Sequence, residues 1–242
     1  MSRNMAALTD PGLARTANED SVLALELPDG SILLAVADGV GGLRGGDVAS
    51  AEAIAAIADE SLWAGTTDPR AALEEAFSRA NRRVRELGQE RGTPVASTLV
   101  AALVRDGSLW VTNVGDSRAY LFDGSSLTQL SHDHSLVAEQ VRAGILTAEE
   151  GEHSDYRNVI TRGIGVEDIV EPDGVGPVPL PADSILLLCS DGLHGPVAEA
   201  QIKAALASGT VGEIARGLID MGNEAGGPDN ISVVILKADS DG

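Results

Sequence analysis

The chain has 242 residues, 43% of them apolar, and a formal charge of −20 from 37 acidic and 17 basic side chains; that length supports one large domain with a full core. The charge argues against nucleic acid and polyanionic membrane surfaces as partners, because phosphate backbones reward clustered Lys and Arg. No apolar stretch approaches the ~18 residues a membrane span needs, and no basic segment followed by an apolar run opens the chain, so a cytoplasmic protein is expected.

No Pro/Ser-rich linker divides the sequence, and residues 1–242 are expected to form a single domain. Ser21–Leu27 and Ile32–Ala37 read as strands joined at Pro28-Asp29-Gly30. The glycine-rich stretch GVGGLRGG leads into an Ala-rich helix over Asp47–Trp63. Asp68-Pro69 then opens a second helix, with Leu73, Ala76, Phe77, Ala80, Val84 and Leu87 at helical spacing. Thr98–Val104, Leu109–Val114, Ala119–Phe122 and Leu127–Leu130 predict short strands in an antiparallel meander. From Ser135 to about Tyr156 the pattern is helical and polar, with a capping box at Thr147 and Glu150, and a mobile flap is expected at about residues 135–165. Glu171–Pro181 reads as a loop, Ser184–Ser190 as a core strand, Val197–Leu206 and Val211–Asn223 as helices, and Ile231–Leu236 as the closing strand. Strand runs separated by helix pairs favour an α+β fold, a four-layer α-β-β-α sandwich with two central antiparallel sheets flanked by helices.

The segment SILLAVADGVGG, Ser31–Gly42, is echoed by SILLLCSDGLHG, Ser184–Gly195. Each apolar run reads as a buried strand closed by Asp-Gly, so Asp38 and Asp191 stand at matching mouths of a core. Asp229 directly precedes a third such run, and antiparallel neighbours would bring its start beside the ends of the others. One Asp-Gly alone is a turn dipeptide; three strand-edge acids point to a site. Two carboxylates about 4 Å apart repel by roughly 4 kcal/mol at an effective dielectric near 20, so such a cluster calls for a cation. Oxygen-only donors select Mg²⁺, Mn²⁺ or Ca²⁺, whereas zinc recruits Cys or His, and the chain has one Cys and four His.

Arg15 stands three residues before Asn18-Glu19-Asp20, and its planar fork suits a phosphate. Glu19 and Asp20 can reach a metal directly or through water. Asp116, in Gly115-Asp116-Ser117-Arg118, is either a turn former or another ligand. Thr161–Gly165 lacks the strand-to-helix setting of a nucleotide loop and reads as a bend. His132 and His134 flank Asp133 and read as capping or supporting groups rather than zinc ligands. Cys189 lies inside an apolar strand and reads as a core residue.

The ordered set RTANED, DGVGG, STL, GDSRAYL, DHSL, TRGIG, SDGL and GGPDNIS resembles the metal-dependent serine/threonine protein phosphatases of the 2C type in their compact bacterial form, over about Asp10 to Leu236. The resemblance implies that Asp38 bridges two Mn²⁺ or Mg²⁺ ions and that Gly39 lends its carbonyl. It further implies that Asp191 and Asp229 complete the first ion, that Glu19 serves the second with Asp20 as an outer group, and that Asp116 holds a third, weaker ion. Arg15 matches the phosphate-binding arginine. A water shared by two cations would attack phosphorus in line, with no phosphoenzyme intermediate. Phosphorylated proteins as substrates, a cognate bacterial Ser/Thr kinase and a monomeric state follow from the same resemblance. Val40 stands where animal members carry a histidine credited as general acid, so a metal-bound water would take that role. Two rival readings are a two-metal phosphodiesterase or nuclease, and a non-enzymatic phosphoprotein-binding form. The charge opposes the first and the intact acids oppose the second.

Overall fold

The computed structural model describes residues 4–40 and 45–239; residues 41–44 of the glycine-rich GVGGLRGG stretch lie outside them. The chain begins with strands β1 (Met5–Asp10), β2 (Asp20–Glu26) and β3 (Ile32–Asp38), followed by helices α1 (Gly46–Ile57) and α2 (Pro69–Arg91). Strands β4 (Leu99–Arg105), β5 (Ser108–Val114), β6 (Arg118–Phe122) and β7 (Leu127–Gln129) precede the short helices α3 (Leu136–Arg142) and α4 (Ala148–Glu152). Then come β8 (Asp173–Pro179), β9 (Ile185–Cys189), α5 (Asp191–His194), α6 (Glu199–Leu206), α7 (Val211–Glu224) and β10 (Ile231–Lys237).

The strands form two five-stranded antiparallel sheets, ordered β1-β10-β9-β6-β7 and β2-β3-β4-β5-β8. Strand side chains alternate between faces, and that alternation builds all four layers. Leu34 and Val36 of β3, Val100 and Ala102 of β4, Leu186 and Leu188 of β9, and Val234 and Leu236 of β10 meet between the sheets. Their neighbours point outward: Leu33, Ala35, Leu99 and Ala101 pack under α1 and α2, and Leu187, Cys189, Val233 and Ile235 pack under α6 and α7. Both faces of the central strands are thus buried, which is why they read as unbroken apolar runs. The expected four-layer α-β-β-α sandwich is the observed architecture.

Local signals act where the sequence places them. Asp68 caps α2 by accepting from Arg70 N and Ala71 N, with Pro69 at the first helical position. Thr147 with Glu150, and Thr210 with Glu213, form complete capping boxes.

Three expectations need correction, and one strand was not expected at all. The helix expected over Asp47–Trp63 ends at Ile57; a separate 3₁₀ turn, Glu60–Leu62, follows, because the Asp59 side chain accepts from Ser61 N and starts a new turn. The meander expected over residues 98–130 is two hairpins in different sheets, since the chain crosses from one sheet to the other between β5 and β6. Glu171–Pro181 is not all loop, because β8 pairs along the edge of β5 with one register shift. An edge strand tolerates its Pro residues, which have no N–H to give a ladder. Strand β1, which no strong alternation announces, pairs in full register with β10. Among the described residues no helix is long and apolar enough to cross a membrane.

Candidate active site

The inward column of each central strand turns polar at one end of the sandwich. Continuing the alternation from the inter-sheet residues, Asp38 follows Leu34 and Val36, Thr98 precedes Val100, Ser117 precedes Ala119, Ser190 follows Leu186 and Leu188, and Ser232 precedes Val234. Asp20 lies directly opposite Asp38 in the β2–β3 ladder. The apolar core therefore gives way to carboxylates and hydroxyls at a single end.

A cleft of about 150 Å³ opens there, lined by Arg15, Glu19, Asp38, Gly39, Asp116, Asp191 and Asp229 among others. Seven of the eight candidate residues thus share one cavity wall, and Asp20, 8% exposed, sits beneath it. Antiparallel pairing of β9 with β10 sets the start of β10 beside the end of β9, which brings Asp229 to Asp191. Gly39 is required by crowding: a Cβ there would stand 2.3 Å from Gly46 O and 2.7 Å from Glu19 O. Its N–H donates to Glu19 O at 3.0 Å, tying the Arg15–Glu19 loop to the end of β3.

Electrostatics mark these acids as unusual. Burial, reinforced by the charges of Asp20, Asp191, Asp116 and Asp229, holds the Asp38 carboxyl well above the usual range. Burial also pushes Asp116 up to about 7 and Asp191 up to about 6, with Asp191 and Asp229 as the respective leading like charges. Asp20 reaches about 7, again chiefly through burial, although Ser232 and Ser190 hydrogen bonds oppose the rise. Arg15 Nη2 lies 2.7 Å from Asp229 Oδ2, in a pair that is one-third to two-fifths exposed.

Among the described residues, no three Asp, Glu, His or Cys side chains are already gathered as ligands around one point. The donor set nevertheless fits a hard cation. Asp20 Oδ1 and Asp191 Oδ1 are buried oxygens without a hydrogen-bond partner. Buried polar atoms seldom lack a partner, and an all-oxygen carboxylate and carbonyl set is the donor chemistry of Mg²⁺ or Mn²⁺.

The model of the family described as protein phosphatase 2C matches residues 14–216. The chain belongs to the protein phosphatase 2C family. It is 37% identical to the serine/threonine phosphatase stp of Listeria monocytogenes, over 96% of this chain and 94% of that protein. The crystal structure of the Mycobacterium tuberculosis serine/threonine phosphatase PstP/Ppp is 37% identical, with a TM-score of 0.87 over 97% of this chain and 98% of that one. The catalytic domain of PstP in complex with two manganese ions is 36% identical, with a TM-score of 0.85 over 97% of this chain and 98% of that one.

Several residues of this family member's cleft escaped the sequence reading. Thr98 lines the cleft, and Asn158 and Ile160, within the expected flap, close its other side. Asn230 accepts Glu19 N at 2.8 Å and donates to Pro11 O and Ala17 O at 2.9 Å each, so it fastens the Arg15 loop. His134 Nδ1 accepts Gly115 N, and His194 Nε2 donates to Asp116 O at 3.0 Å, bracing the Asp116 turn. The supporting role expected of His134 is the one it has. His132 is exposed and only 3.9 Å from Asp173. Cys189 is buried and free, its thiol pushed up to about 12 by burial. The signal that could have found Thr98 and Ser117 is the strand alternation itself, carried one step past the last apolar residue.

Proposed function

We propose that this member of the protein phosphatase 2C family is a metal-dependent phosphatase that hydrolyses phosphoserine and phosphothreonine in proteins, opposing a cognate Ser/Thr kinase. The observation that carries the reading is the pair of buried, unpartnered carboxylate oxygens on Asp20 and Asp191, beside the Arg15 guanidinium in a cleft rich in acids. Asp38, the Gly39 carbonyl, Asp191 and Asp229 would hold the first two Mn²⁺ or Mg²⁺ ions. Glu19 would serve the second ion, Asp20 would act as an outer group, and Asp116 would take a third, weaker ion. Support for this comes from the donor chemistry and from the two manganese ions of the PstP neighbour. When bound, such cations supply Lewis-acid charge to the phosphoryl group and acidify a water.

The chain's own groups then orient the substrate. Arg15 stands at the cleft with its guanidinium on Asp229, and its fork can donate paired hydrogen bonds to phosphoryl oxygens. Asn230 fixes the loop that presents it. Asn158 and Ile160 narrow the mouth from the segment at about residues 135–165, which we read as a flap on a single domain spanning residues 1–242. A cytoplasmic monomer that engages neither nucleic acid nor membrane completes the proposal and agrees with the charge of −20.

The direct test is phosphate release from phosphoserine and phosphothreonine peptides with Mn²⁺ or Mg²⁺, beside plasmid DNA as a control. Release is expected from the peptides alone, and EDTA is expected to stop it; undiminished turnover in EDTA would sink the reading. Arg15→Ala is expected to raise KM about 10- to 100-fold with a smaller change in kcat, since a charge-assisted hydrogen bond contributes about 1.5–3 kcal/mol. An unchanged KM would give the arginine another task.

A further inference from the structure

We propose that Thr98 is a positioning residue that ties Asp38 and Asp116 into one unit through a hydroxyl bridge to Ser117, an inference resting on the assignment of both aspartates to the cation site. Asp38 ends a strand of one sheet, and Asp116 lies in the crossing to the other, so the two are not ladder partners. Thr98 spans the gap. Its Oγ1 accepts the Asp38 N–H at 3.0 Å and lies 2.8 Å from Ser117 Oγ. Because that oxygen already receives an N–H, its own proton is free to be given to Ser117. The Thr98 N–H donates to Asp38 O at 2.8 Å, so one residue holds both backbone polar groups of Asp38.

The other arm of Thr98 reaches the Asp116 turn by packing. Gly115 has φ +100°, and a Cβ there would stand 2.6 Å from both Cβ and Cγ2 of Thr98. Thr98 therefore touches the residue before Asp116 through its carbon atoms and the residue after it through its hydroxyl. Thr98 is 3% exposed and Ser117 1%, so bulk water does not replace the bond if either hydroxyl is lost. Spacing between carboxylates governs how well a cation is held, and partners behind the ligands typically matter 10- to 100-fold.

Thr98→Val keeps the shape and removes the hydroxyl, Ser117→Ala removes the other half, and Thr98→Ser restores the hydroxyl without the methyl. The experiment is Mn²⁺ titration of EDTA-stripped protein by calorimetry, with thermal unfolding to show that each variant is folded. Thr98→Val and Ser117→Ala are each expected to weaken Mn²⁺ binding about tenfold, the double variant no further, and Thr98→Ser to stay within about twofold of the parent. Phosphopeptide turnover by Thr98→Val should recover as Mn²⁺ is raised, with KM for the peptide unmoved. Additive losses in the double variant overturn the bridge, as does Thr98→Ser binding as weakly as Thr98→Val. A Thr98→Val isotherm like the parent's while Asp116→Asn shifts it also overturns the bridge and leaves the cation site standing. Isotherms unmoved by both Asp38→Asn and Asp116→Asn overturn the cation assignment itself, and the bridge with it.

Discussion

Asp38→Asn is expected to give a folded protein that is more heat-stable than the parent in EDTA and inactive with Mn²⁺ present. Asp38 is half-buried beside four like charges, and lost hydration first, then those charges, hold its carboxyl well above the usual range. An Asn amide has nearly the same size and shape as the carboxyl and carries no charge. The exchange thus keeps the packing and removes the repulsion. Removing a charge that its surroundings disfavour is therefore expected to move the unfolding midpoint of the apoprotein upward. The same exchange takes a negative donor from the proposed cation site, and kcat should fall on the order of 10³-fold or more. Calorimetric unfolding in EDTA and a phosphopeptide assay in Mn²⁺ check the two halves. An active variant removes Asp38 from the chemistry, and an apoprotein less stable than the parent contradicts the electrostatic account.

Without metal, the parent is expected to lose stability as pH rises from about 4 to about 7, which is opposite to the usual behaviour of carboxylates. In the unfolded chain these acids release protons near their ordinary value of 3.8. In the folded chain Asp191 holds on to about 6, and Asp20 and Asp116 to about 7, while Asp38 is raised as well. The native state therefore binds more protons across that window, and the slope of unfolding free energy against pH is negative there. Stability from Asp20, Asp116 and Asp191 is complete below about 4 and gone above about 7. Buried His194, held down to about 3, acts in the other direction between about 3 and 6.5, and His134, also lowered chiefly by burial, acts with it, two groups against four. Asp29, Asp59 and Asp123, whose carboxyls lie below the usual range, lose their contribution only as pH falls below about 4. Mn²⁺ competes with those protons, so the stabilisation it confers should widen over the same interval. Unfolding midpoints at several pH values, with EDTA and with Mn²⁺, measure both curves; a level EDTA curve would contradict the burial of the acids.

How far the sequence carries depends on where a strand lies. Ile32–Asp38 and Ile185–Cys189 are buried on both faces, so their apolar runs announce themselves and their terminal acids can be aligned by eye. MAALTD and DGVGPVP lie at sheet edges, where one side of the ladder is unpartnered and little apolar patterning is needed, so β1 and β8 are set by their neighbours rather than by propensity. Short spacing between β5 and β6 suggests a hairpin, and nothing local reveals that Gly115, Asp116 and Ser117 carry the chain into the second sheet. That crossing places Asp116 opposite Asp38, so the same hidden step conceals part of the site. Asn230 and Thr98 are ordinary residues in isolation. Their importance comes from partners 211 and 19 positions away.

The sandwich has a working end and an idle one. The turns at Leu27–Ser31, Asp106-Gly107, Asp123–Ser126 and Pro181–Ser184 all join strands at the pole away from Asp38. Lengthening Asp106-Gly107 or Asp123–Ser126 adds a little closure entropy and leaves the carboxylate cluster at the other pole untouched, so labels, epitopes or inserted domains belong there. A single residue added within β3, by contrast, would reverse which way every later side chain of that strand points and turn the carboxylate at its tip towards the helices.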